Sequence, residues 1–220
     1  MRFQVRALPA LCVVAAATIT LSACSGGEGK SQDRSDSPKG WDVCNELFGS
    51  SRVNALQDEM GSGTLAVLNQ LTPVNELLSD RASVAKSWKP GSEVHYSNTS
   101  HPCDLGIDGS NKRFNSYVSW SVDSSQSIDS GDAGEGWQSL GKGIYVKRED
   151  NNLHLTAVIP CKIKGSHKEQ EPELPLKVET EVRNVPDFDT KLLSEMTAQL
   201  ANKLAEGLPC TNAPDVPSVF

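Results

Sequence analysis

Apolar residues early in the chain recur at helical spacing. Residues 43–48, 52–60 and 64–88 each place leucine, valine or other apolar side chains on one side of a helix. Glycines separate the three segments, and Pro73 would kink or divide the third. The pattern predicts an N-terminal layer of helices.

Beyond residue 91 the period changes from helical to two. Strand-like patterns occur at residues 94–107, 114–122, 137–147, 153–164 and 174–185. The last alternates most clearly, with apolar side chains and Thr180 on one side and charged side chains on the other. The charged set is Lys177, Glu179, Glu181 and Arg183. The polar residues 149–152 predict a β-hairpin turn. We expect an antiparallel sheet of about five strands with one buried and one wet face.

A final apolar stripe indicates a helix that Asp187 or Asp189 caps and that ends at Gly207. Helices, then strands, then a helix predict an α+β fold, in which the N-terminal helices and this last helix cover one face of the sheet. In this interpretation residues 41–210 are a single domain. Residues 211–220 are expected to be a loose tail.

The first residues have the pattern of an export signal. Arg2 and Arg6 precede an apolar stretch, which ends at Leu21-Ser22-Ala23-Cys24. This four-residue sequence resembles the lipobox of bacterial lipoproteins. The resemblance implies that residues 1–23 are a signal peptide and that the thiol of Cys24 receives a lipid with fatty acyl chains such as palmitate. The protein would then be anchored in the cell membrane on its extracytoplasmic face.

Residues 24–40 combine glycine, serine and mixed charge with almost no apolar side chains, so they predict a flexible tether after the lipidated cysteine. Two other interpretations of the N-terminus stay open. The signal could be an ordinary secretory one that leaves Cys24 as an idle thiol, or the apolar stretch could be a short membrane anchor that is not cut.

Charge argues against nucleic acid as a partner. The chain has 220 residues, with 21 Lys and Arg against 28 Asp and Glu, which gives a formal net charge of -7. A generally acidic surface disfavours binding to nucleic acid or to an anionic bilayer, although it leaves room for a local basic patch. The partners expected are the membrane, through the lipid on Cys24, and an unknown extracytoplasmic protein or small ligand.

Four cysteines remain once Cys12 leaves with the signal and Cys24 takes the lipid: Cys44, Cys103, Cys161 and Cys210. An even number in an exported chain predicts two disulfides, and no spacing is that of a zinc or redox motif. Three pairings are possible. We favour Cys44 with Cys210 and Cys103 with Cys161, because the first two lie beside terminal helices and the other two lie in strand-like segments. No cofactor and no metal is predicted.

The histidines do not form a recognisable catalytic motif. His95 and His101, with Asp104 nearby, lack the spacing of a helical zinc site, and we interpret them as surface residues. His154 falls on the polar side of its predicted strand and His167 in a charged loop. Neither has an evident partner in the sequence.

Serine and glycine patterns are equally unspecific. No GxSxG sequence is present, and the glycine-rich residues 131–136 lack the regular ligand ladder of an EF-hand loop. Gly141-Lys142-Gly143 is predicted to shape a β-bulge or a turn. No catalytic residue is assigned.

The tryptophans are candidates for binding. Trp120 falls on the buried side of its strand, whereas Trp88 and Trp137 border loops and could line a ligand-binding surface. We therefore expect a non-catalytic binding or interaction module. Two alternatives stay open: a carrier of a lipid or small hydrophobic ligand, and an extracytoplasmic hydrolase.

A second resemblance covers residues 41–210. The short segment Cys44-Asn45-Glu46-Leu47-Phe48, the strand-like cysteines Cys103 and Cys161, and the closing Leu208-Pro209-Cys210 are similar to small secreted lipoproteins of actinobacteria. This similarity implies a bacterial surface domain and carries over no catalytic residue.

Overall fold

The computed structural model describes residues 41–92 and 99–220. The predicted signal peptide, Cys24 and the tether at residues 24–40 lie outside these residues, as does His95. Within the described part, no helix is both long and apolar enough to cross a membrane.

The elements follow the predicted order of helices, strands and helix, with additions. The helices are α1 Trp41–Phe48, α2 Ser50–Met60, α3 Val74–Ser87, α4 Ser125–Ser130, α5 Gln170–Glu173 and α6 Thr190–Gly207. The strands are β1 Leu65–Val67, β2 Leu105–Ile107, β3 Arg113–Trp120, β4 Trp137–Gly141, β5 Ile144–Glu149, β6 His154–Ile159 and β7 Leu176–Arg183. A single 3-10 turn at Asp150–Asn152 joins β5 to β6, which confirms the predicted hairpin.

The described strands form one antiparallel sheet in the order β1-β2-β3-β7-β6-β5-β4. The sheet has seven strands rather than about five, for two reasons. Residues 137–147 are two strands, because the chain turns back at Gly141-Lys142-Gly143, and Lys142 there has a φ of 54°. The register of the β4–β5 pair also shifts beside this turn, so the predicted bulge or turn is confirmed.

The second reason is an edge strand in the segment predicted to be the third helix. Leu65–Val67 pairs with β2 as β1, and α3 begins only after Pro73. Proline has a fixed φ and no N–H group, so it suits the boundary before a helix and disfavours a helix running through it. The prediction of a helix over residues 64–72 is therefore wrong, and that over residues 74–87 is confirmed.

The main core lies between the sheet and the helices. Leu176, Val178 and Val182 of β7 are buried on the helical side, as the alternation predicted, and the Thr180 hydroxyl contacts the Thr197 hydroxyl of α6. Trp120 is 1% exposed, and its Nε1 donates to the Arg81 carbonyl at 2.9 Å, so its predicted place in the core is confirmed. The α+β interpretation is confirmed with it.

The disulfides are Cys44–Cys103 and Cys161–Cys210, with Cα–Cα distances of 5.3 and 5.1 Å. The expected pairs Cys44–Cys210 and Cys103–Cys161 are therefore wrong, although two disulfides are confirmed. The chain after α6 returns to the segment that follows β6, where Cys210 forms an isolated β-bridge with Ile163, two residues beyond Cys161. Each bridge fastens one helical segment to a chain segment beside the sheet, instead of joining the two ends of the domain.

Two apolar side chains of residues 211–220 are buried against the domain. Val216 and Phe220 are each 8% exposed, and the Phe220 carbonyl oxygen accepts a hydrogen bond from Arg148 Nη2 at 2.6 Å. The same oxygen contacts the Ser194 hydroxyl of α6. In the segment expected to be a loose tail, these two side chains therefore join the main core.

Candidate functional site: the open face of the sheet

The N-terminal helices and α6 cover one face of the sheet, and the other face carries mainly polar and charged side chains. We call it the open face. It consists of Arg113, Asn115, Tyr117 and Ser119 on β3; Lys177, Glu179, Glu181 and Arg183 on β7; His154, Thr156 and Val158 on β6; and Tyr145, Lys147 and Glu149 on β5. These residues alternate with the buried residues of the same strands.

The strand register arranges these side chains in rows across the sheet. One row runs Asn115, Glu181, His154 and Glu149, and the next runs Tyr117, Glu179, Thr156 and Lys147. At one end, Ile128 of α4 packs on Tyr145 and Val158 and partly covers the face. The charged rows are left as its accessible part.

His154 lies between two carboxylates. Its Nδ1 is 3.7 Å from Oε2 of Glu149 on β5, and its Nε2 is 3.7 Å from Oε1 of Glu179 on β7. Contact with Glu179 raises the pKa of His154; burial opposes this, and the charges of Glu181 and Glu149 add to it. Both ring nitrogens face carboxylates, so the site favours the imidazolium form.

Glu179 has two further partners besides His154. Its oxygens also lie 3.1 Å from Lys177 Nζ and 3.5 Å from the donating hydroxyl of Thr156. Burial alone would raise the pKa of Glu179, but His154 and Lys177 outweigh it and hold that pKa below its usual value. Glu179 is therefore a carboxylate at neutral pH.

Glu181 joins the next group along β7. Arg183 Nε donates to its Oε1 at 2.6 Å, and the Tyr117 hydroxyl donates to its Oε2 at 3.3 Å. Burial, followed by the charge of Glu181, raises the pKa of Tyr117 to about 12. Tyr117 is thus a neutral phenol at neutral pH and serves as a hydrogen-bond donor.

His101 borders the open face beside Tyr117, with ring centroids 4.8 Å apart. Its Nδ1 is 3.6 Å from Oδ2 of the buried Asp104, which also accepts a hydrogen bond from Asn69 Nδ2 at 2.9 Å. These contacts tie the segment around Cys103 to its neighbours. We interpret the Asp104 carboxylate as an anchor of this segment.

The two tryptophans predicted to line a binding surface do not meet. Trp137 lies opposite Lys147 in the β4–β5 pair and packs with Ile128 and Tyr145 on the open-face side. Trp88 follows α3, packs against the main core and lies 6.2 Å from the His167 ring. Only Trp137 adjoins the candidate site.

The described residues contain no group of three or more His, Cys, Asp or Glu side chains that could hold a metal ion. In the polar loop around residues 131–136, the Asp132 carboxylate accepts a hydrogen bond from the Ser130 hydroxyl at 2.7 Å. His167 lies 3.8 Å from Glu169, its own neighbour in the chain. Asp132 and His167 do not belong to the rows of the open face.

The sequence predicts that the charged residues of β7 lie on one wet face, but it does not single out Glu149, Glu179, Glu181 and Tyr117 as a group. The missing information is register, because it decides that His154 stands across from Glu149 and Glu181. The signal available in the sequence was the unusually regular alternation of β7.

Comparisons with protein-family models, with curated proteins and with solved structures found no match to this chain.

Proposed function

We propose that the chain is a lipid-anchored extracytoplasmic module that binds another protein through the open face of its sheet. The docking surface is argued from the unequal cover of the two faces of the sheet. The N-terminal helices and α6 cover one face, whereas on the other face α4 covers only one end and leaves rows of charged side chains outside the main core.

The composition of the open face supports a protein partner. Its acidic groups are paired with neighbouring cations, as in Glu181 with Arg183 and Glu179 with Lys177. A fixed pattern of positive and negative side chains can pair with the opposite pattern on another protein. Such electrostatic complementarity contributes to binding specificity and to the association rate. A partner protein with a mixed-charge surface is the occupant we propose. Trp137, at the edge of this face, would add an aromatic contact.

The lipid anchor is supported by residues 21–24 and by the polar sequence that follows them. Each buried methylene contributes about 0.8 kcal/mol to membrane binding, so two or more acyl chains hold a protein stably at a bilayer. An anchored domain then needs no membrane-binding surface of its own, and the open face stays available to a partner.

The anchor is tested with labelled palmitate in the host bacterium. Wild-type chain and the control Cys12→Ser are expected to carry label and to sediment with membranes, while Cys24→Ser carries none and leaves the membrane fraction. Equal labelling of wild type and Cys24→Ser would contradict the proposed anchor.

Docking is tested by charge reversal. Arg183→Glu changes a side chain that is 58% exposed on the open face, and Lys191→Glu changes one that is 74% exposed on α6, on the opposite side of the sheet. A specific partner is expected to co-purify with wild type and with Lys191→Glu but to be lost with Arg183→Glu. Retention by both variants, or loss from both, would contradict docking through the open face.

Native mass spectrometry of the full-length protein separates the alternatives. The binding module predicts the mass of the lipidated chain alone. An additional bound lipid that survives extraction would favour the carrier, and turnover of ester or amide substrates that His101→Ala abolishes would favour the hydrolase.

A further inference from the structure

His154 is the one described residue of the open face that bridges carboxylates from two different strands through its two ring nitrogens. Glu149 lies on β5 and Glu179 on β7, with His154 between them on β6. We propose that His154 is a proton-operated clasp, which ties β5, β6 and β7 together when protonated and releases one of the two carboxylates when it loses its proton. The effect of the clasp on docking rests on the proposed function, whereas the titration of His154 does not depend on it.

Geometry supports the clasp. A neutral imidazole carries a proton on only one nitrogen, so it can donate to one of the two carboxylates, whereas the imidazolium donates to both. The two carboxylates belong to strands that flank β6, so protonation adds attraction across three strands at once. The 3.7 Å distances allow either contact to tighten by a small side-chain rotation.

The other charges that face His154 come from the same three strands and from β3. Glu181 stands directly across from it on β7, paired with Arg183 and with the neutral Tyr117 of β3. Lys147 of β5 is 3.0 Å from Glu149.

On β7, Lys177 pairs with Glu179. Each carboxylate beside His154 therefore keeps a lysine neighbour when the proton leaves. Deprotonation loosens the clasp without leaving an isolated buried charge.

The sign of the pH effect follows from the raised pKa of His154. A histidine whose folded pKa is above its unfolded value, about 6.5, contributes stability that is fully present below pH 6.5. That contribution is lost as pH rises through the folded pKa. Above it, the open face carries one more unit of net negative charge, and Glu149, whose side chain is 44% exposed, becomes freer to meet a partner.

The clasp is tested by NMR of the full-length chain in detergent with ¹⁵N-labelled histidine. The chain has four histidines, and His154→Gln identifies the signal. The His154 midpoint is expected above that of the same residue in urea and is expected to fall in Glu179→Gln and in Glu149→Gln. The control Glu169→Gln, beside His167, should leave it unchanged. A midpoint equal to the unfolded value and insensitive to both substitutions would overturn the proposal.

A stability measurement provides the second readout. At pH 5.5 the unfolding equilibrium constant of wild type is expected to be roughly two- to fivefold smaller than that of His154→Gln, a difference typical of partly exposed ion pairs. At pH 8.5 the two unfolding constants are expected to be nearly equal. The same advantage at both pH values would overturn the clasp. The charge-reversal test of docking uses another residue and another readout, so failure of the proposed function is distinguishable from failure of the clasp.

Discussion

Removing the disulfide between Cys161 and Cys210 tests both the pairing and its contribution to stability. The bridge links residues 49 apart in sequence. The loop-closure entropy that it removes from the unfolded chain corresponds to about 4 kcal/mol at 25 °C. A typical domain has about 5–15 kcal/mol of total stability, so the double variant Cys161→Ala with Cys210→Ala should be strongly destabilised.

The assay is guanidinium unfolding followed by tryptophan fluorescence, because Trp120 is buried in the core. We expect a large fall in the midpoint with a transition that stays cooperative. A loss of under about 1 kcal/mol would refute the loop-closure reasoning.

The single variant Cys161→Ala tests the pairing itself. Under the structure's pairing it frees the thiol of Cys210, which alkylation and mass spectrometry locate. Label on Cys103 instead would show that Cys161 pairs with Cys103, as the sequence position of the cysteines predicts.

Two further predictions concern stability, both read from chemical denaturation. Phe220→Ala should lower the free energy of unfolding by about 3 kcal/mol, because a buried aromatic ring is lost. The control Val219→Ala, at a side chain that is 41% exposed, should change it by under about 0.5 kcal/mol. Equal effects of the two variants would mean that the Phe220 ring is not buried. Asp189→Ala should lower the free energy of unfolding by about 1 kcal/mol, because the Asp189 carboxylate accepts a hydrogen bond from the Lys191 N–H at 2.8 Å at the start of α6. The control Asp187→Ala should change stability little. A larger loss with Asp187→Ala would identify Asp187 as the cap.

Local patterns predicted much of the fold. The alternation in β7 identified both its buried side and its charged side, and Asp189 was one of the two caps considered for the last helix. These features depend on neighbours in sequence, where side-chain period and capping chemistry act directly.

Long-range features were harder to predict. The pairing of Cys210 with Cys161 depends on how the chain after α6 returns to Ile163, and no local pattern encodes that return. The three-residue strand β1 is too short for its period to be recognised. The burial of Phe220 depends on contacts with residues distant in sequence, such as Arg148 and Ser194.

The candidate site shows the same division. The charged residues of β7 were predicted on a wet face, but the link from His154 to Glu149 and Glu179 required the register of three strands. Trp88 and Trp137 both border loops, as expected, but the packing of α3 and of β4 separates them.

Site-specific photo-crosslinking in the living host tests docking through the open face most directly. A photoreactive phenylalanine analogue replaces Asn115 or Arg183 on the open face, and Lys191 on α6 serves as the control position. We expect one discrete protein adduct from the open-face positions and none from the α6 position. The same adducts from both sides of the sheet, or adducts from α6 alone, would contradict docking through the open face.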